Sequence, residues 1–233
     1  MQEAFLVYRP GEHGSVQDFC TDALAPSSFF AYGRQPSAAW LYVQNEVNPS
    51  EQGYPASYGR AVAAGLERKQ LFLNERDKTK KKAIAVVEDI HKCAAQYGCA
   101  TGKWMLRVSE SNIDHKWLEI AKATVDGTLG ATSAKVGRSP GQEIFLVCVY
   151  LNDYEDKALV GGVLQGLRGL HNVVPKADIF FKADILTGCQ IDASFYTGVR
   201  VSRWSSRYQD AATPASAAAL LTIGQPLFLP IVA

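Results

Sequence analysis

Charge of one sign is what this chain most lacks: 24 Lys and Arg against 23 Asp and Glu leave 233 residues at a formal +1. That balance excludes bulk electrostatic capture of nucleic acid or of a membrane surface. Cysteines are few and unpatterned, five in all at 20, 93, 99, 148 and 189 with no C-x-x-C pair. A disulfide scaffold is therefore not expected, and reduced thiols in the cytoplasm or nucleus fit. Long hydrophobic runs are also missing. The most apolar tract, Ala217 to Ile223 and then Pro226 to Ala233, is broken by Gln225 and two prolines and falls short of the roughly 20 residues a bilayer needs. The opening MQEAFLVYRPGEHGS has no basic segment followed by an apolar run, so neither a signal peptide nor a membrane partner is expected. His13, His91, His115 and His171 have no metal-ligand spacing. Phosphate-loop, dinucleotide-fingerprint and zinc-protease signatures do not occur. The chain is expected to need no metal and no cofactor.

What is present suffices for a core: 47% of residues are hydrophobic and 20% charged, a globular composition. The length favours one elaborated domain, read as an irregular arm over 1–36, a domain over 37–210 and a loose tail over 211–233. WLYV at 40–43 reads as a strand running into a turn-rich loop that holds Tyr54, with Tyr58 just beyond. A helix is expected over 57–73. The basic run RDKTKKK, 76–82, reads as a solvated lead-in to a second helix, which stacks Ala83, Val87, Ile90, Ala94 and Tyr97 on one face and stops at Gly98. KWMLRV then alternates Trp104, Leu106 and Val108 with Lys103, Met105 and Arg107, the period of a half-buried strand with one cationic face. A helix capped by Asn112 or Asp114 buries Trp117, Ile120, Ala121 and Thr124 and ends at Gly127. ATSAKV and EIFLVCVYL form a hairpin about GRSPGQ. A helix over 153–169 turns Leu159, Val163, Leu164 and Leu167 inward, although Gly161, Gly162 and Gly166 each weaken it by roughly 1 kcal/mol and mark close approach to the sheet. ADIFFKADIL and the segment from Ala193 to Val201 read as further strands. The class expected is α+β, an antiparallel sheet with about three helices on one face.

Aromatics and cations are the residue types suited to a base and its phosphates. Trp40, Trp104 and Trp117 sit in apolar surroundings and read as core. Tyr54 and Tyr58, in or beside a loop, are the stacking candidates, and Lys103, Lys135, Arg138 and Lys182 are the candidate cations.

GKWMLRV, DHKWLEIA, LGATSAKVGRSPGQEIFLVCVY and a following helix stand in the order of the translation initiation factor 4E-like, or messenger-RNA cap-binding, fold, and WLYVQNEVNP is similar to that family's first strand. GKW, KWLEIAKAT, LGATSAKV, VCVY and FFKADI resemble more closely the basophilic leukemia expressed protein (BLES) family, which shares the fold. The resemblance covers about two-thirds of the chain and implies a curved antiparallel sheet whose concave side holds the ligand and whose convex side carries the helices. In the cap-binding relatives two tryptophans sandwich a methylated guanine and a glutamate reads its edge. Here Tyr54 stands in the first of those loops and no Trp-Glu pair precedes Lys103, so the resemblance implies a site that keeps phosphate contacts without the sandwich. The function read from the sequence is non-catalytic binding of RNA or a nucleotide on the concave face through Lys103, Lys135, Arg138 and Lys182, with Tyr54 or Tyr58 stacking. The alternatives are a protein partner docked on the convex helices and an enzyme built on Cys148 or a helix-borne carboxylate.

Overall fold

A computed structural model describes residues 5–21, 25–30, 40–47, 55–138, 143–170, 179–199, 202, 204–206 and 221–223. In chain order the elements are β1 (Phe5–Val7), α1 (Pro10–His13), α2 (Val16–Phe19), α3 (Pro26–Phe29), β2 (Trp40–Gln44), α4 (Tyr58–Asn74), α5 (Lys80–Gln96) and β3 (Gly102–Ser109). They continue as α6 (Glu110–Val125), β4 (Ser133–Arg138), β5 (Ile144–Leu151), α7 (Lys157–Gly169), β6 (Phe180–Ala183), α8 (Asp184–Gly188), β7 (Trp204–Ser206) and β8 (Leu221–Ile223). The strands form one sheet in the order β1-β2-β4-β5-β3-β6-β7-β8. Every pairing is antiparallel except that of β1 with β2, so the expected α+β class holds with a mixed rather than purely antiparallel sheet.

Side-chain alternation divides the sheet into two faces. Leu41 and Val43, Ala134 and Val136, Phe145, Val147 and Val149, Trp104, Leu106 and Val108, and Phe181 all point to one side and are buried. α6 lies along that side against β2 to β5, burying Ile113, Trp117, Ile120 and Ala121. α7 joins it: the indole N–H of Trp104 donates to the Val160 carbonyl at 3.2 Å. α4 and α5 pair, and both pack on α8.

Local chemistry sets the helix ends. Thr79 caps α5 through the Lys82 amide, Asp156 caps α7 through the Ala158 and Leu159 amides, and Gly98 closes α5 with φ of 65°, where a side chain would be strained. α6 starts earlier than expected, after Ser109 rather than Asn112 or Asp114. Asp114 instead uses its carboxylate to accept from the backbone and hydroxyl of Ser27, which fastens the arm to α6.

The structure departs from the sequence reading in five further places. The arm is not irregular throughout, since it supplies β1 and three short helices. Asp184 to Leu186, read as the end of a strand, opens α8. No strand covers 193–199; pairing resumes at β7. Part of the expected tail, Leu221–Ile223, pairs with β7 as β8. Of the α7 glycines, a Cβ at Gly166 would stand 2.9 Å from Leu129 Cδ1, whereas one at Gly162 would meet nothing within 4 Å, so Gly162 marks no close approach.

Candidate functional site

The face of the sheet opposite α6 and α7 carries the polar residues. Strand register lines them up across the sheet in rows. Gln44, Ser133, Tyr150, Lys103 and Lys182 face one another on β2, β4, β5, β3 and β6. Tyr42, Lys135, Cys148, Met105 and Phe180 make the next row, and Gly137, Leu146 and Arg107 the third. Trp40, two residues before Tyr42, shares this face by strand alternation. It is half-buried, not core as the sequence suggested; Trp104 and Trp117 are core, at 0% exposure.

Lys135 is the centre of the arrangement. Its ammonium lies 4.0 Å from the centroid of the Trp40 ring and 5.8 Å from that of Tyr150. Lys103 approaches the same Tyr150 ring at 5.3 Å. A cation over an aromatic face is attracted by the ring quadrupole, about 0.5–1 kcal/mol where water has access, so two lysines and two rings hold one another in place.

Lys103 is otherwise committed. Its ammonium donates to Asp184 Oδ1 at 2.5 Å and to Thr187 Oγ1 at 3.3 Å, and the side chains of this pair are 9% and 1% exposed. Asp184 Oδ2 is buried without a hydrogen-bond partner among the described residues. The expected phosphate contact is thus a neutralised structural pair, made possible because α8 turns Asp184 back over the end of β3. Lys182, directly across from Lys103, is half-buried. Burial holds its ammonium below the usual lysine range, and the Lys103 charge adds to this against the opposite pull of Asp192 and Asp184.

Three other candidates fall elsewhere. Arg138 is three residues from Lys135, so strand alternation sends it to the helical face. There it donates to the Phe30 carbonyl at 2.9 Å, stands 3.6 Å from Glu110 and lies 5.9 Å from the Phe145 ring, clamping the arm to α6. Tyr58 is the first residue of α4, and its hydroxyl donates to the Asp184 carbonyl at 3.0 Å; it braces α8 from outside the polar face. Tyr54 lies outside the described residues, as does His171.

The polar face therefore unites Lys103, Lys135 and Lys182 and excludes Arg138. It adds Trp40, Tyr42, Tyr150 and the exposed Arg107 and Phe180, the last 41% exposed. Arg107 was legible from the alternation of KWMLRV; Tyr150 was hidden in a run apolar on both sides. Among the described residues no group of three His, Cys, Asp or Glu could hold a metal ion. All five cysteines are free and buried, and burial pushes the Cys20 thiol up to about 12 and that of Cys189 to about 11. Gly137-Arg138-Ser139-Pro140-Gly141 has the letters of a hydrolase nucleophile elbow. Residues 139–142 lie outside the described residues; the flanking strands β4 and β5 pair antiparallel, whereas a nucleophile elbow leads from a strand into a helix. No described helix is long and apolar enough to cross a membrane.

Across residues 4–190 the chain matches the family described as Basophilic leukemia-expressed protein Bles03, and it belongs to that family.

Proposed function

We propose that this member of the family is a non-catalytic binding protein that holds a nucleotide or RNA on the polar face of its sheet. The observation that carries the reading is Lys135 at 4.0 Å over the Trp40 ring with Tyr150 beside it: a cation and two aromatic rings gathered on one face of the sheet. A phosphate draws the ammonium off the indole, and the ring it vacates is then available to a base. Stacking contributes about 1–3 kcal/mol per base and is tolerant of base identity. The cap-binding proteins that the sequence resembles use the concave side of their sheet, which supports the same choice of face.

Binding of a fluorescently labelled single-stranded RNA, followed by anisotropy from low to physiological salt, tests this. Each phosphate neutralised contributes about −0.7 to the slope of log K against log salt. Replacing Lys135 and Arg107 together by alanine should flatten the slope by roughly 1.4, whereas Arg138→Ala should leave it unchanged. Absence of binding by the unmodified protein at low salt overturns the proposal.

A protein partner docked on α4 is the second reading, favoured by Leu66, Leu71 and Leu73, which are 38%, 57% and 40% exposed. Leu71→Glu with Leu73→Glu would then abolish partner binding while RNA binding persists. An enzyme built on Cys148 is the weakest reading, since that residue is 1% exposed.

A further inference from the structure

Two lysines stand directly opposite one another where β3 meets β6, Lys103 against Lys182 in the antiparallel register. Side chains so placed leave Cβ atoms about 4.5–5.5 Å apart, and like charges there repel. Lys103 is relieved by Asp184 and by the Thr187 hydroxyl, to both of which its ammonium donates. Lys182 has no such outlet: among the described residues it makes no hydrogen bond and no ion pair. The two carboxylates nearest to it in effect are committed elsewhere. Asp184 holds Lys103, and Asp192 accepts from the backbone and hydroxyl of Ser194.

A half-buried lysine facing a fixed cation is a nucleophile in the making. Burial first, and the Lys103 charge second, hold the Lys182 ammonium below the usual lysine range against the pulls of Asp192 and Asp184. More of it is then the neutral amine near neutral pH, and the neutral amine is the form that attacks a carbonyl. Burial alone acts in the same direction on Lys116; the cation across the strand is what sets Lys182 apart. Thr187 supplies a second group. It is exposed, and because its oxygen accepts from Lys103 at 3.3 Å, its own hydrogen points away from that ammonium and can be donated to an oxygen arriving from solvent.

We infer that Lys182 is a covalent capture site for a small aldehyde, with the Thr187 hydroxyl donating to the carbonyl oxygen and Lys103 as the fixed charge beside them. The lysine nitrogen bonds to the carbonyl carbon, the carbon–oxygen bond breaks, and the oxygen leaves as water with both amine hydrogens, so that an imine remains. An aldehyde suits the site better than a ketone, since half-burial limits the bulk that reaches the nitrogen. Capture at this end of the sheet does not depend on nucleotide binding at Trp40.

Propanal at limiting concentration, with cyanoborohydride to reduce the imine to a stable secondary amine and peptide mass mapping to locate it, tests the inference. Near neutral pH, Lys182 should carry a several-fold larger share of the adduct in the folded chain than in guanidinium chloride, where neither burial nor Lys103 acts on it. Adduct at Lys182 should also begin to form at lower pH in the folded chain. Lys103→Met combined with Asp184→Leu removes the opposing cation together with its partner and should move that onset back towards the unfolded position. Thr187→Val should lower the yield at Lys182 by roughly 2- to 12-fold, the equivalent of a hydrogen bond of about 0.5–1.5 kcal/mol, without moving the onset, and Thr187→Ser should restore it. Thr187 is exposed, so its variants keep the test open should the double variant fail to fold. A Lys182 share no larger in the folded than in the unfolded chain, an onset unchanged in a folded double variant, or a yield indifferent to Thr187→Val overturns the inference. None of these outcomes touches RNA binding at Trp40, which the anisotropy titration reads separately.

Discussion

Removing the carboxylate of Asp184 would strand the Lys103 ammonium, whose side chain is 9% exposed, with Thr187 as its remaining polar contact. Breaking a buried pair from one side costs about 3–5 kcal/mol, whereas replacing both partners by apolar residues of similar volume is often nearly neutral. Asp184→Leu alone should therefore lower the urea midpoint sharply, and Asp184→Leu combined with Lys103→Met should recover most of the loss; a double variant no better than the single would show that the loss does not come from the stranded Lys103 charge. Cys20 gives a second test at this scale. Its thiol is pushed to about 12 in the folded chain, chiefly by burial, while in the unfolded chain it titrates near the ordinary value of about 8.5. The folded state thus holds the proton more tightly. That contribution is complete below about pH 8.5 and is lost as pH rises towards 12. Urea midpoints at neutral and alkaline pH should fall less for Cys20→Ala than for the unmodified chain, whatever the substitution costs at neutral pH. Individual residues also mark what could be read in advance. Lys135 and Arg138 differ by an odd number and so had to part on a strand, whereas the partner of Lys103 lies 81 residues away and no local pattern announces it.

Helices and strands invite tests of opposite sign. In α7, alanine at Gly162 has open space before it and removes the entropic weakness of a helical glycine, so Gly162→Ala should raise stability by up to about 1 kcal/mol. In α4, a Cβ at Gly65 would stand 2.4 Å from Cys189 Sγ and 3.5 Å from Ile90 Cγ2. The close approach of α4 to α5 and α8 depends on this bare position, and Gly65→Ala should cost about 1–3 kcal/mol by overpacking. Chemical denaturation of the two variants checks both. The elements most legible in the sequence, α4, α5, α6, β3 and β5, run for eight to 17 residues, long enough for periodicity to accumulate. β1, β7 and β8 have three residues each and carry no period. Asp-Ile-Leu at 184–186 suits strand and helix alike, and the contacts that go with the turn into α8, Asp184 with Lys103 and with the Thr101 carbonyl, come from β3 and the residue before it.

For the whole molecule, the candidate site is a product of strand order rather than of sequence proximity. Trp40, Lys135, Tyr150 and Lys182 come from four strands that the chain visits far apart, and β3 enters the sheet between β5 and β6 although it precedes both. The apolar flanks of Trp40 point to the core; only the pairing of β2 with β4 puts it on one face with Lys135. The two rims of the sheet follow from the same order. β1 and β8, of three residues each, close it on either side, and short terminal strands present few unpaired amides to a neighbouring molecule. Shortening the chain past Val7 would bare the rim of β2, where Trp40, Leu41, Tyr42 and Val43 combine aromatic and branched side chains into a template for intermolecular stacking. Such a truncation should scatter more light, as aggregate, than the full chain does, which would make the opening strand a guardian of solubility as much as a part of the fold.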